Sequence, residues 1–133
     1  MRLDTYLHFD GNCKAAMEFY KECLGGDLKV QSVGDSPMAS QMPNQGDKVL
    51  HAELKNGDFR IMASDMSGPE GIKRGNTVSL CVNGVDAGQM KRLFSSLSKG
   101  GNVTNPLRQE FFGTYGDLVD KFGIAWMFQS DAK

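Results

Sequence analysis

The chain has 133 residues, with 15 basic and 16 acidic side chains, which is enough for one domain with a hydrophobic core. The balanced charge, without a run of lysine and arginine, argues against a nucleic-acid partner. No apolar stretch approaches the roughly 18 residues that cross a bilayer, and the first residues lack the apolar segment of a signal peptide. The three cysteines form no C-x-x-C pair. We therefore expect a cytoplasmic protein with reduced thiols that binds neither nucleic acid nor membrane.

The same series of elements occurs twice along the chain. A strand at 5–9 leads into a helix that ends at Gly25-Gly26, and a strand at 77–82 leads into a helix that ends at Gly100-Gly101. A half of roughly 65 residues buries too little surface to be comfortably stable alone. We expect two modules, at 1–66 and 75–133 with a linker at 67–74, that pack together as one domain with a groove for a ligand.

The first half begins with a strand at 4–9, in which Asp4, Tyr6 and His8 share one face. Asn12 is a plausible N-cap for the helix that follows. Further strands are predicted at 28–33, 49–55 and 59–64, the last two joined by the hairpin signal Asn56-Gly57. The polar segment at 35–47 is long for a structureless connection, so a lid or a mobile flap is possible there.

The second half repeats the order of strand, helix and three strands. The pattern predicts a strand at 77–82, a helix from about 86 to 99, and strands at 103–108, 113–120 and 124–129. Trp126 and Phe128 lie on the strand face that points toward the helix, and we expect them in the core. The aromatic loop at 111–113 could close a ligand site or pack a dimer.

This doubled order resembles the vicinal-oxygen-chelate superfamily, which includes glyoxalase I, bleomycin-resistance proteins and extradiol dioxygenases. Several stretches are similar to its PhnB-like group, some members of which carry the label 3-demethylubiquinone-9 3-methyltransferase. They are Phe9–Cys13, His51–Leu54, Met62–Asp65 and Asp120–Gly123, the last followed by Trp126-Met127. The resemblance implies an α+β fold of two βαβββ modules that form a cupped sheet, and a homodimer. Methyl transfer lacks support, because no glycine-rich strand-to-helix turn of the methyl-donor type is present.

The resemblance also implies where a metal would lie, since metal-using members take one ligand from the first and the last strand of each half. Those positions fall at about Asp4, Met62, Thr77 and Met127. A catalytic metal needs about three histidine or carboxylate ligands, and thioether sulfur is a poor partner for the metals concerned. We therefore expect neither a metal nor another cofactor.

The candidate ligand-binding residues lie on the polar side of the predicted sheets or beside the aromatic loop. They are Tyr6, His8, His51, Glu53, Met62, Ser64, Ser79, Cys81, Arg108, Tyr115 and Met127. The two histidines could exchange a proton with a ligand, with Glu53 orienting one of them or acting as the base. The alternative is that these are satisfied polar residues of an ordinary sheet.

Two other candidates have structural alternatives. Cys81 lacks a neighbouring base that would make it a nucleophile, so a small buried side chain is the expected role. Arg108 could clamp an anionic ligand or form a surface ion pair with Glu110.

Three functions remain open from the sequence. The first is a protein that binds a small molecule in the cup without a metal, and the second is an enzyme of the same superfamily with a shifted metal site or His/Glu acid–base chemistry. The third is a module that binds a partner protein. Pairing of the two modules within one chain or across a dimer is equally open.

Overall fold

The computed structural model describes residues 1–57 and 59–130. The chain divides into two units, Met1–Lys73 and Arg74–Lys133, at a boundary inside the predicted linker. The first contains β1 (Thr5–His8), α1 (Cys13–Leu24), β2 (Asp27–Ser32), β3 (Val49–Asn56) and β4 (Phe59–Ser64). The second contains β5 (Leu80–Val82), α2 (Ala87–Ser98), β6 (Asn102–Glu110), β7 (Gly113–Val119) and β8 (Ala125–Ser130). The predicted α+β fold of two βαβββ modules is confirmed.

The first module is a four-stranded sheet with the order β1-β4-β3-β2, in which β1 and β4 run parallel and the other neighbours antiparallel. Its apolar side buries Ala52 and Leu54 of β3 together with Ile61 and Ala63 of β4. Helix α1 contacts these strands and contributes the buried residues Cys13, Ala16, Met17, Phe19 and Tyr20. Because side chains alternate along a strand, this packing directs the remaining residues of β3 and β4 to the opposite side.

The start of α1 is capped by a side chain that is distant in sequence. Asn12 occupies the N-cap position, as predicted, but its side chain makes no capping hydrogen bond. The Asp65 carboxylate instead accepts hydrogen bonds from the backbone N–H groups of Gly11 and Cys13, at 2.8 and 3.0 Å. Its second oxygen accepts from Val49 N–H at 2.8 Å. Asp65 therefore joins the end of β4 to the start of α1 and the start of β3.

The long polar loop between β2 and β3 is closed at its base. Val33 N–H donates to the carbonyl of Lys48 at 2.8 Å, and Gly34 N–H donates to that of Gly46 at 3.1 Å. Val33 is fully buried, and Ser36 Oγ donates to its carbonyl at 2.8 Å. The segment is thus a series of hydrogen-bonded turns with neighbouring ends, and its role as a lid stays a prediction.

The second module has the sheet order β5-β8-β7-β6, again with one parallel pair, β5 and β8. Trp126 and Phe128 are buried, as predicted, and the Phe128 ring meets Phe94 of α2 edge-on with centroids 5.1 Å apart. Gly116 lies beneath this contact, where an added Cβ would come within 3.0 Å of both Phe94 and Leu107. The two described helices are 12 residues each, and neither could span a membrane.

Strand β5 is shorter than predicted. The alternation favours a strand over 77–82, but only Leu80–Val82 pair with Trp126–Phe128 of β8. Val78 is 74% exposed, and Ser79 is exposed ahead of the strand. Residues form a strand only where a neighbour satisfies their backbone groups, so the extent of β8 pairing sets the length of β5.

Candidate functional site

The first polar face is the side of the first sheet that lies opposite its buried residues. Strand register places its members on one side. They are Asp4, Tyr6, His8, Asp27, Lys29, Gln31, His51, Glu53, Lys55, Arg60, Met62 and Ser64. All six candidate ligand-binding residues of the first module are therefore on this face, as predicted by their alternation.

Tyr6 lies between the two histidines of the chain. Its hydroxyl is 3.1 Å from His51 Nδ1, a hydrogen bond whose donor depends on the imidazole tautomer. Its ring centroid is 5.2 Å from that of His8 and 5.8 Å from that of His51, with interplanar angles of 38° and 37°. Tyr6 is 40% exposed. The structure thus brings three predicted residues into one accessible aromatic group.

Arg60 joins two carboxylates on the same face. Its Nη2 donates to Asp4 Oδ2 at 2.5 Å, and its Nη1 donates to Glu53 Oε2 at 3.2 Å. The hydrogen bond from Arg60 lowers the pKa of Asp4, and the same bond raises the pKa of Arg60. The buried Nε has no hydrogen-bond partner among the described residues. Glu53 is therefore bound to Arg60, whereas the sequence analysis considered it as a partner of a histidine.

The second polar face is the side of the second sheet that carries Cys81, Tyr115, Asp117 and Met127, and its centre is Asp117 of β7. This carboxylate accepts hydrogen bonds from the Tyr115 hydroxyl at 2.6 Å, from Asn105 Nδ2 at 3.0 Å to each oxygen, and from Thr104 Oγ1. Burial alone would raise the pKa of Asp117, but the three side-chain donors outweigh it and lower the pKa. The pKa of Tyr115 is raised, chiefly because its hydroxyl donates to Asp117.

Each module contains a row of three cross-strand neighbours with a methionine at its centre. Met62 of β4 lies between Tyr6 and Glu53 in the first module, and Met127 of β8 lies between Cys81 and Asp117 in the second. Tyr6 and Cys81 are thus the first-strand neighbours of the two methionines, whereas the resemblance placed the first-strand metal positions at about Asp4 and Thr77.

Sequence reasoning missed Asp117 and Arg60. Each half carries an acidic residue nine or ten positions before its last-strand methionine, Glu53 before Met62 and Asp117 before Met127. Comparing the halves at that spacing would have identified Asp117. Arg60 lies two residues before Met62 in β4 and therefore on the same face. The strand alternation that selected Met62 would also have selected Arg60.

The other predicted residues lie in varied settings. Cys81 is exposed, which makes the expectation of a buried side chain wrong, because β5 turns this residue to the polar side of its sheet; its Sγ accepts from Asn83 Nδ2 at 3.8 Å. Ser64 is buried, and its Oγ accepts from Met66 N–H at 3.1 Å. Arg108 Nε donates to Glu110 at 2.6 Å, one of its two alternatives.

The aromatic loop between β6 and β7 is largely open to solvent. Phe111 is 90% exposed and Phe112 is 47% exposed, and their rings pack edge-on with centroids 5.2 Å apart. Phe112 also meets Tyr115 edge-on at 6.2 Å. The loop therefore places two apolar rings beside the second polar face.

The residues of the two faces do not fit the divalent-metal centre that the resemblance implies. Within residues 1–57 and 59–130, no three histidine, cysteine or acidic side chains come together as a group that could hold a metal. The centre of each row is a thioether, which suits soft metals rather than the oxygen-seeking ones. Glu53 and Asp117, which flank the methionines, are already bound by protein donors.

The family described as 3-demethylubiquinone-9 3-methyltransferase matches residues 2–129, nearly the whole chain. The chain belongs to this family. Protein YjdN of Escherichia coli strain K12 is 29% identical to it over 138 residues, which cover 96% of this chain and 93% of that protein. The family membership agrees with the PhnB-like resemblance seen in the sequence.

Solved structures share the fold across the full chain. The crystal structure of protein PA1353 from Pseudomonas aeruginosa is similar with a TM-score of 0.87 at 34% identity, over 100% of this chain and 99% of that one. The PhnB protein from Bacillus cereus has a TM-score of 0.78 at 24% identity, over 98% and 99% of the two chains. A glyoxylase/bleomycin resistance protein/dioxygenase domain from Frankia sp. EAN1pec shares the fold at 18% identity, with a TM-score of 0.66 over 98% of this chain and 96% of that one.

Proposed function

We propose that this protein binds a small organic molecule on the polar faces of its sheets, without a metal centre of the glyoxalase type. The observation that carries the proposal is the repeated row, in which a methionine occupies the central position of each module. Methionine side chains are flexible and polarisable and suit ligands of varied shape, whereas they bind divalent oxygen-seeking cations poorly.

The groups around the methionines support ligand binding of a mixed polar and apolar kind. Tyr6 and His51 offer a hydroxyl and an imidazole on an accessible part of the first face. The carboxylates of Glu53 and Asp117 are engaged by Arg60 and by Tyr115, so they shape the faces rather than offer a bare charge. Methyl transfer, which the family description names, is not part of the proposal.

A metal titration tests the first half of the proposal. Elemental analysis of the purified protein, followed by calorimetric titration with nickel, zinc, manganese and iron(II), should show no stoichiometric site. The His51→Ala variant is the control. One tightly bound metal per chain that is lost in His51→Ala would refute the metal-free function and favour an enzyme with a shifted metal site.

A screen of small organic molecules tests the second half. A ligand that binds only the folded state stabilises it by about 2.7 kcal/mol at a concentration one hundred times its Kd, which thermal unfolding detects. We expect stabilising compounds whose effect is weakened in Met62→Ala and Met127→Ala. A screen in which no compound stabilises the protein would contradict ligand binding.

An acid–base enzyme of the same superfamily is the alternative function. The hydrogen bond between Tyr6 and His51 favours it, because such a pair can move a proton to or from a bound substrate. Compounds found in the screen should be incubated with the wild type and with Tyr6→Phe and His51→Ala. Product formed by the wild type and lost in both variants would establish catalysis, and unchanged compounds would support binding alone.

We further propose a homodimer that works in the cytoplasm. No disulfide links the three cysteines, all of which lie within the described residues, and this suits a reducing compartment. Strand β6 is an edge of the second sheet, and most of its residues are exposed. Edge strands need a partner or a cover. Light scattering should give about twice the 14.6 kDa chain mass; a monomer at micromolar concentration would refute the dimer.

A further inference from the structure

We infer that the ligand of the first polar face is a planar, uncharged ring with a hydroxyl or carbonyl substituent, which stacks against Tyr6. The inference rests on the proposed function and names the class of molecule that this face would take.

The first support is the accessible aromatic group. Tyr6 is 40% exposed and has His8 and His51 on either side, with ring centroids within 5.8 Å. The core of this module lies on the other side of the sheet, around Leu54 and Ile61, so these rings are not part of it. Aromatic rings pair with one another in tilted or offset arrangements with centroids 4.5–7 Å apart, each pair contributing on the order of 1 kcal/mol. The rings thus form a surface on which another flat ring can pack.

The second support is the balance of charge around this group. Arg60 is held by Asp4 and Glu53, so its two terminal nitrogens are already occupied and are not available to clamp a ligand carboxylate. On the outer strand Lys29 lies across from Glu53, and Lys55 lies across from Asp27. The three acidic side chains Asp4, Asp27 and Glu53 thus balance the three basic side chains Lys29, Lys55 and Arg60, and no net charge attracts an ionic ligand to this face. This balance favours an uncharged molecule.

The third support is the setting of the Tyr6 hydroxyl. It forms its hydrogen bond with His51 Nδ1 at 3.1 Å on the accessible side of the sheet, so a ligand hydroxyl or carbonyl can share in it. Met62 lies directly across from Tyr6 on β4, and thioethers make favourable contacts with ring edges. Ring, hydrogen-bonding pair and thioether together define a flat site with one polar edge.

The chain offers a specific spectroscopic readout, because its only two histidines both belong to this aromatic group. Imidazole carbon–proton NMR signals should be followed while the intact protein is titrated with phenol. Cyclohexanol is the saturated match of the probe, and benzoate is the charged match. We expect saturable ring-current shifts of both imidazoles with phenol and at least threefold weaker binding of the two matched probes.

Variants locate the stacking partner. Tyr6→Leu should weaken phenol binding roughly threefold to tenfold, which is the effect of one aromatic pair, and Tyr6→Phe should retain most of it. Phe111→Leu is the control, because Phe111 is a 90% exposed ring in the other module and its loss should leave phenol binding unchanged. Backbone amide spectra establish that each variant is folded.

The outcomes separate this inference from the function on which it rests. Cyclohexanol or benzoate binding this face as tightly as phenol would overturn the ligand class and leave small-molecule binding intact. Equal losses in Tyr6→Leu and Phe111→Leu, or phenol shifts confined to the second module, would overturn the location. Absence of binding by all three probes, together with a failed screen, would overturn the proposed function itself.

Discussion

Replacing Asp65 by asparagine is expected to destabilise the first module strongly, although Asp65 is not one of the candidate ligand-binding residues. Asp65 is 2% exposed, and its two carboxylate oxygens accept three backbone N–H groups, those of Gly11, Cys13 and Val49. The sequence Met62–Asp65 contributed to the family resemblance, but nothing local assigned a role to this carboxylate. The structure makes it the N-terminal anion of α1, where negative charge is favourable.

The size of the effect follows from the three hydrogen bonds. An asparagine carbonyl can replace Oδ1 and keep the bonds from Gly11 and Cys13, but its NH₂ group then points at the N–H of Val49. One hydrogen bond to a charged acceptor is lost, and a buried donor is left unpaired, with a combined cost of about 2–4 kcal/mol. Asp65→Ala leaves all three donors unpaired and should cost about 5 kcal/mol, which approaches the whole stability of a small protein.

Urea unfolding followed by far-UV circular dichroism is the assay. The single tryptophan, Trp126, belongs to the second module, so its fluorescence does not report directly on the first. Asp10→Asn is the matched control, because Asp10 is exposed and its carboxylate lies 3.5 Å from Lys48 Nζ in a surface ion pair. Its loss should change the free energy of unfolding by less than about 0.5 kcal/mol. A folded Asp65→Asn protein within about 0.5 kcal/mol of the wild type would refute the reasoning.

Three further predictions concern the caps, the second polar face and the thiols. Asn12→Ala should leave the free energy of unfolding nearly unchanged because Asn12 makes no cap bond, whereas Asp86→Ala should cost about 1 kcal/mol because Asp86 accepts from a backbone N–H at 2.8 Å; equal effects in urea unfolding would contradict this. Asp117 has a pKa below its ordinary 3.8, so its stabilising contribution is present above that value and lost as the pH falls through the lowered pKa. Asp117→Asn should therefore show less acid destabilisation between about pH 5 and pH 2, and an unchanged pH profile would disprove the assignment. In a variant that lacks Cys23, the exposed Cys81 should react rapidly with a disulfide reagent, whereas Cys13 should react only on unfolding. Burial and the charge of Asp65 raise the pKa of Cys13 to about 12. Equal reaction rates of the two thiols in the native protein would contradict this prediction.

The two rows show how a repeated fold can carry different chemistry. Both centre on methionine and both place a carboxylate beside it, but Glu53 is balanced by the guanidinium of Arg60 and Asp117 by neutral donors. Only the first module adds histidines. This asymmetry is why the proposed ring-binding group is assigned to the first polar face.

The sequence by itself determined the order of the elements and the faces of the strands. Alternation placed His51 and Glu53 opposite Ala52 and Leu54, and Gly25 and Gly100 marked the ends of the two helices. These features follow from the geometry of a few neighbouring residues, such as the period of two along a strand and the backbone freedom of glycine. They are therefore readable before any tertiary contact is known.

Only the tertiary structure decided which polar groups meet. Asp65 binds Gly11 and Cys13 across more than fifty residues, and Arg60 binds Asp4 across a similar separation. The pairing with β8 also shortened β5, and the exposure of Cys81 depends on the side of the sheet to which that short strand turns it. Such contacts are set by strand register and sheet order, which bring together segments far apart in the chain and leave no local pattern in the sequence.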